Sequence, residues 1–298
     1  MIPITIIIAS YNYERYLGAA IQSALNQSFT NFELIIVDDG SKDASVELAQ
    51  SFAQKDPRVR VLMHSDEKNH GLPATLQLGL NNAQGEYIAF LESDDLWRPD
   101  CLEKRLAALV KNTAGVVFNG VEPLPMPGAD TAWFDSYVPR IMKEHTLRRS
   151  TSGNVFPLTR GFLVENKIPT FSCAMVRTEL LRNCDFTSPV PRWMDWWLWS
   201  QIARQTQFCF IPALLTRWRL HAKSFNHKIA LSRYWIDSAV IWKGFRRLFR
   251  NKDWATGHYS EALLLSSPFW LRLVLRFGMI TRQSGLRETI LKIYKRLR

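Results

Sequence analysis

Blocks of apolar and polar residues alternate along the first part of the chain. Four short apolar runs, rich in β-branched residues, are typical of strands buried on both faces. They are residues 4–9, 32–37, 58–63 and 87–91. Three stretches with apolar residues at helical spacing separate these runs, at 14–27, 43–54 and 71–83. Strands that alternate with helices in this way predict a mostly parallel α/β sheet with helices on both faces.

The pattern is less regular after residue 110. Residues 122–169 are rich in Pro, Gly, Arg and Thr, which predicts a long irregular excursion. Apolar runs at 171–177 and 208–212 predict two more strands. From Ile229 onward, apolar residues recur at helical spacing among basic ones, which predicts a basic helical C-terminal region.

Polar side chains follow three of the predicted strands. They are Tyr11 after the first strand, Asp38 and Asp39 after the second, and Glu92, Asp94 and Asp95 after the fourth. Carboxyl ends of parallel strands meet at one edge of a sheet, where open α/β sheets bind ligands. Three acids this close repel one another unless protons or a cation intervene. A solvated acidic turn is the alternative interpretation.

Two common phosphate-binding motifs are missing from the sequence. No Gly-x-Gly-x-x-Gly follows the first strand, and no Gly-Lys-Ser/Thr loop occurs. If a nucleotide binds, a carboxylate-bound divalent cation is the expected substitute, since Mg²⁺ and Mn²⁺ take one or two carboxylates together with diphosphate oxygens.

The charge is unevenly placed along the 298 residues, which carry a formal net charge of +11. Residues 217–298 hold 18 lysines and arginines against four acids, a net charge of +14. The four cysteines have no metal-type spacing, which indicates free thiols in a reducing compartment. Neither a signal peptide nor an apolar run of membrane-spanning length is evident, so we expect a cytoplasmic protein, with a peripheral place on the inner membrane face left open.

The successive motifs of the first 110 residues resemble those of family 2 glycosyltransferases with the GT-A fold, in both order and spacing. The motifs are Ile6–Asn12, Ala24–Ser28, Phe32–Ser41, Asn69–Gly71, Gly85–Ile88 and Glu92–Asp95. The resemblance implies a GT-A type, Rossmann-like α/β fold. It also implies inverting transfer of a sugar from a nucleotide diphosphate-sugar, with UDP as the default nucleotide, aided by Mn²⁺ or Mg²⁺.

By the same resemblance, Tyr11 stacks on the base, Asp39 bonds the edge of the base and Asp94 is a metal ligand. The first Asp of the family's Asp-x-Asp is Glu92 here, which keeps the charge but is one methylene longer. The implied donor-binding residues are Ala9, Tyr11, Asp39, Asn69, Gly71, Glu92, Ser93, Arg219 and Lys223. Simpler roles stay open: Tyr11 as a rim aromatic, Asp38 and Asp39 as an Asx-type turn, and Asp95 as a helix cap.

Four tryptophans surround an acid in the stretch 192–203. Burial among aromatic rings raises the proton affinity of a carboxylate, which suits a general base. The stretch resembles the family's Glu-Asp-x-Asp-Leu-Trp motif, and alignment on Leu198 and Trp199 places the catalytic base at Asp195. Met194 and Trp197 replace the other two acids. A helix N-cap is the alternative role for Asp195.

Residues 216–224 resemble the family's Tyr-Arg-x-His-x-x-Ser loop. The resemblance implies that His221 approaches the metal or the diphosphate, with Arg219 and Lys223 neutralising the leaving group. A surface histidine without a ligand is the alternative.

The predicted organisation is a catalytic domain over 1–215, with a nucleotide-sugar half (1–110) and an acceptor half (111–215). A site-covering loop and the basic helical region follow over 216–298. The expected acceptor is a saccharide or glycolipid, and the basic region either meets an anionic membrane surface or packs on the body. Nucleic-acid binding is not expected. A catalytically degenerate nucleotide-sugar-binding protein is the alternative function, whereas nucleotidyl transfer would need a Gly- and Lys-rich first loop.

Overall fold

The computed structural model describes residues 3–152, 154–162 and 165–221, together with Val240. Apart from Val240, these residues belong to the compact unit Met1–His227. The basic region predicted from Ile229 onward, again apart from Val240, lies outside the described residues, as does Lys223.

The described strands and helices follow the predicted alternation through the first half of the chain. The strands are β1 (Ile4–Ser10), β2 (Phe32–Asp38), β3 (Val59–Met63), β4 (Tyr87–Phe90), β5 (Leu96–Trp97), β6 (Val116–Pro125), β7 (Val155–Phe156), β8 (Ala174–Arg177) and β9 (Phe208–Leu220). The helices are α1 (Glu14–Leu25), α2 (Ser45–Ala53), α3 (Leu72–Asn81), α4 (Cys101–Lys111), α5 (Ala132–Ser152), α6 (Thr159–Phe162), α7 (Thr178–Arg182) and α8 (Met194–Ile202). Short 3₁₀ turns lie at Phe171–Cys173 and Pro191–Trp193.

The nine strands of the described residues form one sheet in the order β3-β2-β1-β4-β8-β6-β9-β5, with β7 paired to β9. Strands β3, β2, β1 and β4 are parallel neighbours, which confirms the predicted α/β class. Strand β8 runs antiparallel between β4 and β6. The chain first adds β2 and β3 on one side of β1 and then adds β4 on the other side. The carboxyl ends of β1 and β4 therefore flank a topological switch point, the usual place for a ligand.

Apolar residues on both faces of the parallel strands form the core. Ile4, Ile6 and Ile8 of β1 pack with Leu17 and Ile21 of α1, and all five are fully buried. Leucine and isoleucine at these positions satisfy both the period of two in the strand and the period of 3.6 in the helix.

Helix α3 covers the opposite face through a close contact at Gly79. A Cβ atom on this residue would lie only 2.9 Å from Cγ2 of Ile7 and 3.2 Å from Cγ2 of Val37. A glycine therefore lets the helix backbone approach the sheet directly behind the switch point.

The prediction of an irregular excursion over 122–169 is wrong, because α5 occupies 21 residues of it. The helix buries Phe134, Val138, Ile141 and His145, which are spaced for one helical face. Pro139 lies within the helix, and it helped to make the segment look irregular in sequence.

Strand β9 is longer than the run 208–212 predicts, and residues 216–220 continue the strand instead of starting a loop. Its pairing with β6 shifts register on either side of Gly120: Asn119 faces Ile211, whereas Val121 faces Thr216. A Cβ atom on Gly120 would lie 3.0 Å from the carbonyl oxygen of Pro212, so this bulge packs directly on the glycine.

Candidate active site

The residues predicted to form the site lie at the carboxyl ends of β1, β2 and β4. Tyr11 follows β1, Asp39 follows β2, and the acidic stretch 92–95 follows β4. Strand β9 adds Arg219 and His221 from a distant part of the sequence. The fold therefore brings together four separate pieces of chain at the switch point.

Asp94 and His221 are in direct contact. Nε2 of His221 lies 3.0 Å from Oδ2 of Asp94, and the two side chains are 4% and 15% exposed, respectively. Arg219 donates from Nε to the carbonyl oxygen of Asp94 (2.7 Å), which fixes the backbone at the same residue. The contact unites the two residues predicted as metal ligands, although they are 127 positions apart.

Asp95 is fully buried and does not cap a helix. The N-cap of α4 is Asp100. Oδ1 of Asp95 accepts the backbone N–H of Arg219 (3.0 Å), and Oδ2 accepts from the Thr170 hydroxyl (3.2 Å). Burial and the charge of Asp94 raise the pKa of Asp95 to about 8. This carboxylate therefore ties the end of β9 to the acidic stretch.

Glu92 also bonds to Thr170, which donates its hydroxyl proton to Oε2. The backbone N–H of Glu92 donates to the hydroxyl of Ser172 (2.9 Å). Burial, with the charges of Asp95 and Asp94, raises the pKa of Glu92 well above its ordinary value. The longer side chain is thus engaged with residue 170, while Ser93 between the acids is buried.

The acidic stretch could hold a divalent cation only with help from a substrate. Within the residues that the structure describes, no group of three or more His, Cys, Asp or Glu side chains could hold a metal ion. Asp94 and His221 would supply two ligands, and adjacent octahedral ligands at about 2.0–2.1 Å lie about 3 Å apart. The observed 3.0 Å between Oδ2 and Nε2 fits that spacing. These residues fit a cation that takes its remaining ligands from a diphosphate and water.

The two aspartates after β2, Asp38 and Asp39, form different hydrogen bonds. Asp38 accepts from the backbone N–H and hydroxyl of Ser41 (2.7 and 2.6 Å), which forms the turn around Gly40. Oδ1 and Oδ2 of Asp39 accept the backbone N–H groups of His70 and Gly71 (2.7 and 2.9 Å). Asp39 therefore anchors the loop before α3, and its contact with a base remains a prediction.

Other predicted donor-binding residues differ in exposure. Tyr11, directly after β1, is 43% exposed. Asn69 is exposed, and Ala9 is half-buried at the end of β1. Gly71 has a positive φ of 83°, a conformation that favours glycine, directly before α3.

Two tyrosines near His221 escaped the sequence analysis. The rings of Tyr16 and His221 are 4.6 Å apart, and that of Tyr13 is 6.1 Å from His221. The guanidinium of Arg219 lies 5.0 Å from the centre of the Tyr16 ring. Burial, followed by the charge of Asp94, raises the pKa of Tyr13, so its phenol stays protonated at neutral pH. These rings fix the orientation of the imidazole; the helical pattern predicted Tyr16 only as part of the buried side of α1.

Asp195 lies in the first turn of α8, and it does not act as the N-cap, which is Trp193 without a side-chain bond. Its Oδ1 accepts the backbone N–H of Trp196 (2.8 Å), and its Oδ2 accepts from the Asn166 side-chain amide (2.5 Å). Burial raises the pKa of Asp195 to about 7, whereas both hydrogen bonds oppose that rise. The charge of Asp195 also contributes to the raised pKa of Glu92.

Three tryptophans that follow Asp195 in α8 belong to the buried core. Trp196, Trp197 and Trp199 are buried. The indole N–H of Trp196 donates to the carbonyl oxygen of Phe162, and that of Trp197 donates to the carbonyl oxygen of Asp185 (both 2.6 Å). The carboxylate thus has the proton affinity that a general base needs near neutral pH.

The raised pKa of Asp195 predicts a pH-dependent stability difference between the wild type and Asp195→Asn. The folded protein keeps a proton that the unfolded chain releases between about pH 4 and pH 7, so the wild type loses stability as the pH rises through this window. The free energy of unfolding of Asp195→Asn minus that of the wild type should therefore increase between pH 4 and pH 8. The expected increase is about 2–4 kcal/mol. Urea unfolding at both pH values measures it.

Asp100→Asn is the control, because Asp100 is an exposed acid paired with Lys104. It should not gain stability relative to the wild type on going from pH 4 to pH 8. A difference between Asp195→Asn and the wild type that does not change with pH would contradict the assignment of a raised pKa.

Comparison with known proteins identifies the family of the chain. The sequence model of Glycosyl transferase family 2 matches residues 5–184. The putative glycosyltransferase EpsH of Bacillus subtilis (strain 168) is 35% identical over 161 residues, which is 53% of this chain and 44% of EpsH. The chain spans similarly small shares, 43% and 38%, of two further curated relatives.

Two solved structures share the fold at low sequence identity. The mannosyltransferase PcManGT from Pyrobaculum calidifontis, in complex with GDP-Man and Mn²⁺, has a TM-score of 0.59 and 16% identity, covering 99% of this chain and 86% of that one. TarS 1-349 of S. aureus, in complex with UDP-GlcNAc, has a TM-score of 0.55 and 15% identity, covering 94% and 81%. Both likenesses concern the fold alone. None of the helices in the described residues is long and apolar enough to cross a membrane.

Proposed function

The chain belongs to glycosyl transferase family 2, and we propose that it is a glycosyltransferase. In this proposal it inverts the anomeric centre as it moves a sugar from a nucleotide diphosphate-sugar, a UDP-sugar by family default, to an acceptor hydroxyl. Two observations support the proposal: burial raises the pKa of Asp195 to about 7, and Asp94 contacts His221 in the acidic stretch whose Glu92 feels the charge of Asp195. Asp195 would act as the base, and Asp94 and His221 would bind the departing diphosphate through a cation.

The proposed reaction is a direct displacement. The acceptor oxygen attacks the anomeric carbon from the face opposite the nucleotide, while the bond from that carbon to the diphosphate oxygen breaks. Asp195 takes the proton of the attacking hydroxyl, which makes the oxygen a better nucleophile. A single displacement inverts the configuration, so an α-linked donor yields a β-glycoside.

The donor is held at two ends. Tyr11 stacks on the base, and Asp39 supports the loop with Asn69 and Gly71 at the base edge. Arg219, with Lys223 beyond the described residues, places positive charge near the leaving diphosphate. Asp94 and His221 would hold Mn²⁺ or Mg²⁺, which when bound supplies further positive charge for the departing diphosphate. Glu92 and Ser93 complete the acidic stretch on the donor side.

We further propose a saccharide or glycolipid acceptor, in the synthesis of a surface polysaccharide or a glycolipid. Support comes from the net charge of +14 over residues 217–298, which suits an anionic lipid surface on the cytoplasmic face of a membrane. The domain division, with an acceptor half over 111–215 and a basic region over 216–298, belongs to the same proposal.

A donor screen tests the function. Thermal-shift measurements with nucleotide diphosphate-sugars, with and without Mn²⁺, should show a rise in melting temperature for the true donor that is larger with Mn²⁺. The same donor should then be hydrolysed slowly by the wild type. Binding without any turnover, with or without saccharide acceptors, would favour a catalytically degenerate nucleotide-sugar-binding protein, which the replacements at Glu92, Met194 and Trp197 make the second candidate.

Tyr11→Ala is the matched variant for that screen. Loss of stacking on a base costs about 1–3 kcal/mol, so the dissociation constant of the donor should rise about 5- to 150-fold. Val110→Ala, at a 72% exposed position in α4, should bind like the wild type. Equal donor affinity in Tyr11→Ala and the wild type, measured by calorimetry, would remove Tyr11 from the donor site.

A further inference from the structure

One stretch of chain contacts both acidic parts of the site. This linking segment comprises residues 165–170, between α6 and the turn at Phe171–Cys173. At one end Asn166 donates to Oδ2 of Asp195 (2.5 Å), and at the other end the Thr170 hydroxyl contacts the carboxyl groups of both Glu92 and Asp95. No motif of the sequence points to either residue.

Buried charges fasten the linking segment to α5. Lys167, which is 1% exposed, pairs with Glu144 (2.8 Å) and with Glu165 (3.0 Å). Arg140 donates from both terminal nitrogens to Glu165, at 2.7 and 2.6 Å. Removal of one partner from such a network leaves a buried charge uncompensated, so the network holds the segment in one place.

A buried histidine adds a neutral anchor. Nε2 of His145 lies 2.7 Å from the carbonyl oxygen of Lys167, so Nε2 carries the proton and donates it. Burial lowers the pKa of His145 to about 4, which keeps the ring neutral at physiological pH. Residues on both sides of Asn166 are therefore fixed to the same helix.

Hydrogen bonds fix the orientation of the Asn166 side-chain amide. Its Oδ1 accepts the backbone N–H of Ile168 (3.3 Å), which turns Nδ2 toward Asp195. Its backbone carbonyl oxygen accepts the hydroxyl of Tyr137 (2.7 Å). The residue is 7% exposed, so little water competes for the amide.

We propose that Asn166 is a positioning residue for Asp195, which holds the carboxylate in place through Oδ2 and stabilises its ionised form. The inference rests on the proposed function, in which Asp195 is the base. With Trp196 on Oδ1 and Asn166 on Oδ2, both oxygens are oriented before an acceptor arrives. Each carboxylate oxygen has a second lone pair with which it can accept a proton.

The Asn166 amide and burial shift the pKa of Asp195 in opposite directions. A donor that bonds to the charged form of an acid lowers its pKa, and the Asn166 contact lowers that of Asp195 while burial raises it. Among the described acids, Glu92 feels the charge of Asp195. Helix α7, which packs on α8, carries Glu179 and Arg182, and Arg182 donates to the carbonyl oxygen of Ala83 (3.4 Å).

Asn166→Leu tests the proposal, because leucine has nearly the same size and no donor. The acidic limb of the pH profile of kcat/KM should move up by about one pH unit, so that activity at pH 6 falls about tenfold while activity at pH 9 changes less. A ¹³C NMR titration of the aspartate carboxyl carbons should show the same increase in the pKa of Asp195. The Asp195 resonance is assigned as the one that is missing from the spectrum of Asp195→Asn.

Tyr137→Phe is the matched control, since it removes the other bond to Asn166 and keeps the amide. It should lower thermal stability but leave the pH profile in place. If both variants lose thermal stability and neither changes the pH profile of kcat/KM, Asn166 has only a structural role and the proposal is wrong. If Asn166→Leu does not fold, Asn166→Ala carries the same test, with a smaller expected move because water can enter.

The readouts separate the two proposals. A wild type that turns over no donor, combined with a moved NMR titration in Asn166→Leu, would contradict the proposed function and leave the contact between Asn166 and the Asp195 carboxylate supported. Normal wild-type turnover with unmoved profiles and titrations would contradict only the role of Asn166.

Discussion

Asp195→Asn should bind the donor as tightly as the wild type and transfer its sugar about 10²–10⁴-fold more slowly, the usual worth of a general base. An asparagine keeps the shape of the side chain, and its one carbonyl oxygen can still accept the backbone N–H of Trp196, although its NH₂ group cannot accept from Asn166. It cannot take a proton from the acceptor hydroxyl. The loss should therefore fall on kcat, with the donor dissociation constant unchanged.

Single-turnover kinetics and donor calorimetry measure the two quantities separately. Asp100→Asn, which removes an exposed acid at the start of α4, should match the wild type in both. Turnover within a few-fold of the wild type in Asp195→Asn would assign the proton transfer to another group.

Asp94→Ala should abolish the metal dependence of donor binding. In the proposed site Asp94 and His221 are the two protein ligands of the cation, so loss of one removes charge stabilisation worth several kcal/mol. In calorimetry, the affinity of the wild type for the donor should drop on addition of a chelator. The affinity of Asp94→Ala should be about 100-fold weaker than that of the metal-loaded wild type, and equal with and without Mn²⁺.

Glu92→Gln provides a comparison within the same acidic stretch. Glutamine can still accept the Thr170 hydroxyl, and Glu92 makes that contact instead of one with His221. Its metal dependence should therefore persist with a smaller loss of affinity. An Mn²⁺-dependent increase of binding in Asp94→Ala would show that the cation is held elsewhere.

The sequence predicted those parts of the site that depend on local patterns. Apolar runs locate the strands, and polar residues directly after them must lie at one edge of the sheet, as Tyr11, Asp39 and Asp94 do. The contact of Asp94 with His221 followed from a resemblance of motifs, because no local property links positions 127 residues apart.

The linking segment could not be predicted in the same way. Asn166 and Thr170 are ordinary polar residues in an apparently irregular stretch, and their partners lie 29 and more residues away. Helix α5 did leave a signal, the spacing of Phe134, Val138, Ile141 and His145, but Pro139 and the low regularity of the polar face obscured it. Burial of Asp95 likewise depends on β9, which arrives from the far end of the sheet.

The bulge in β9 also restricts how the length of this chain can vary. Between Asn119 and Val121, β6 advances by two residues while β9 advances by five, from Ile211 to Thr216. Successive side chains of a strand point to opposite faces, so deletion of a single residue from 212–215 would either undo the fit at Gly120 or reverse the faces of all later residues. In the second case His221 would turn away from Asp94, although every residue of the site was still present. Insertions and deletions in this stretch should therefore abolish the proposed activity even where substitutions are tolerated.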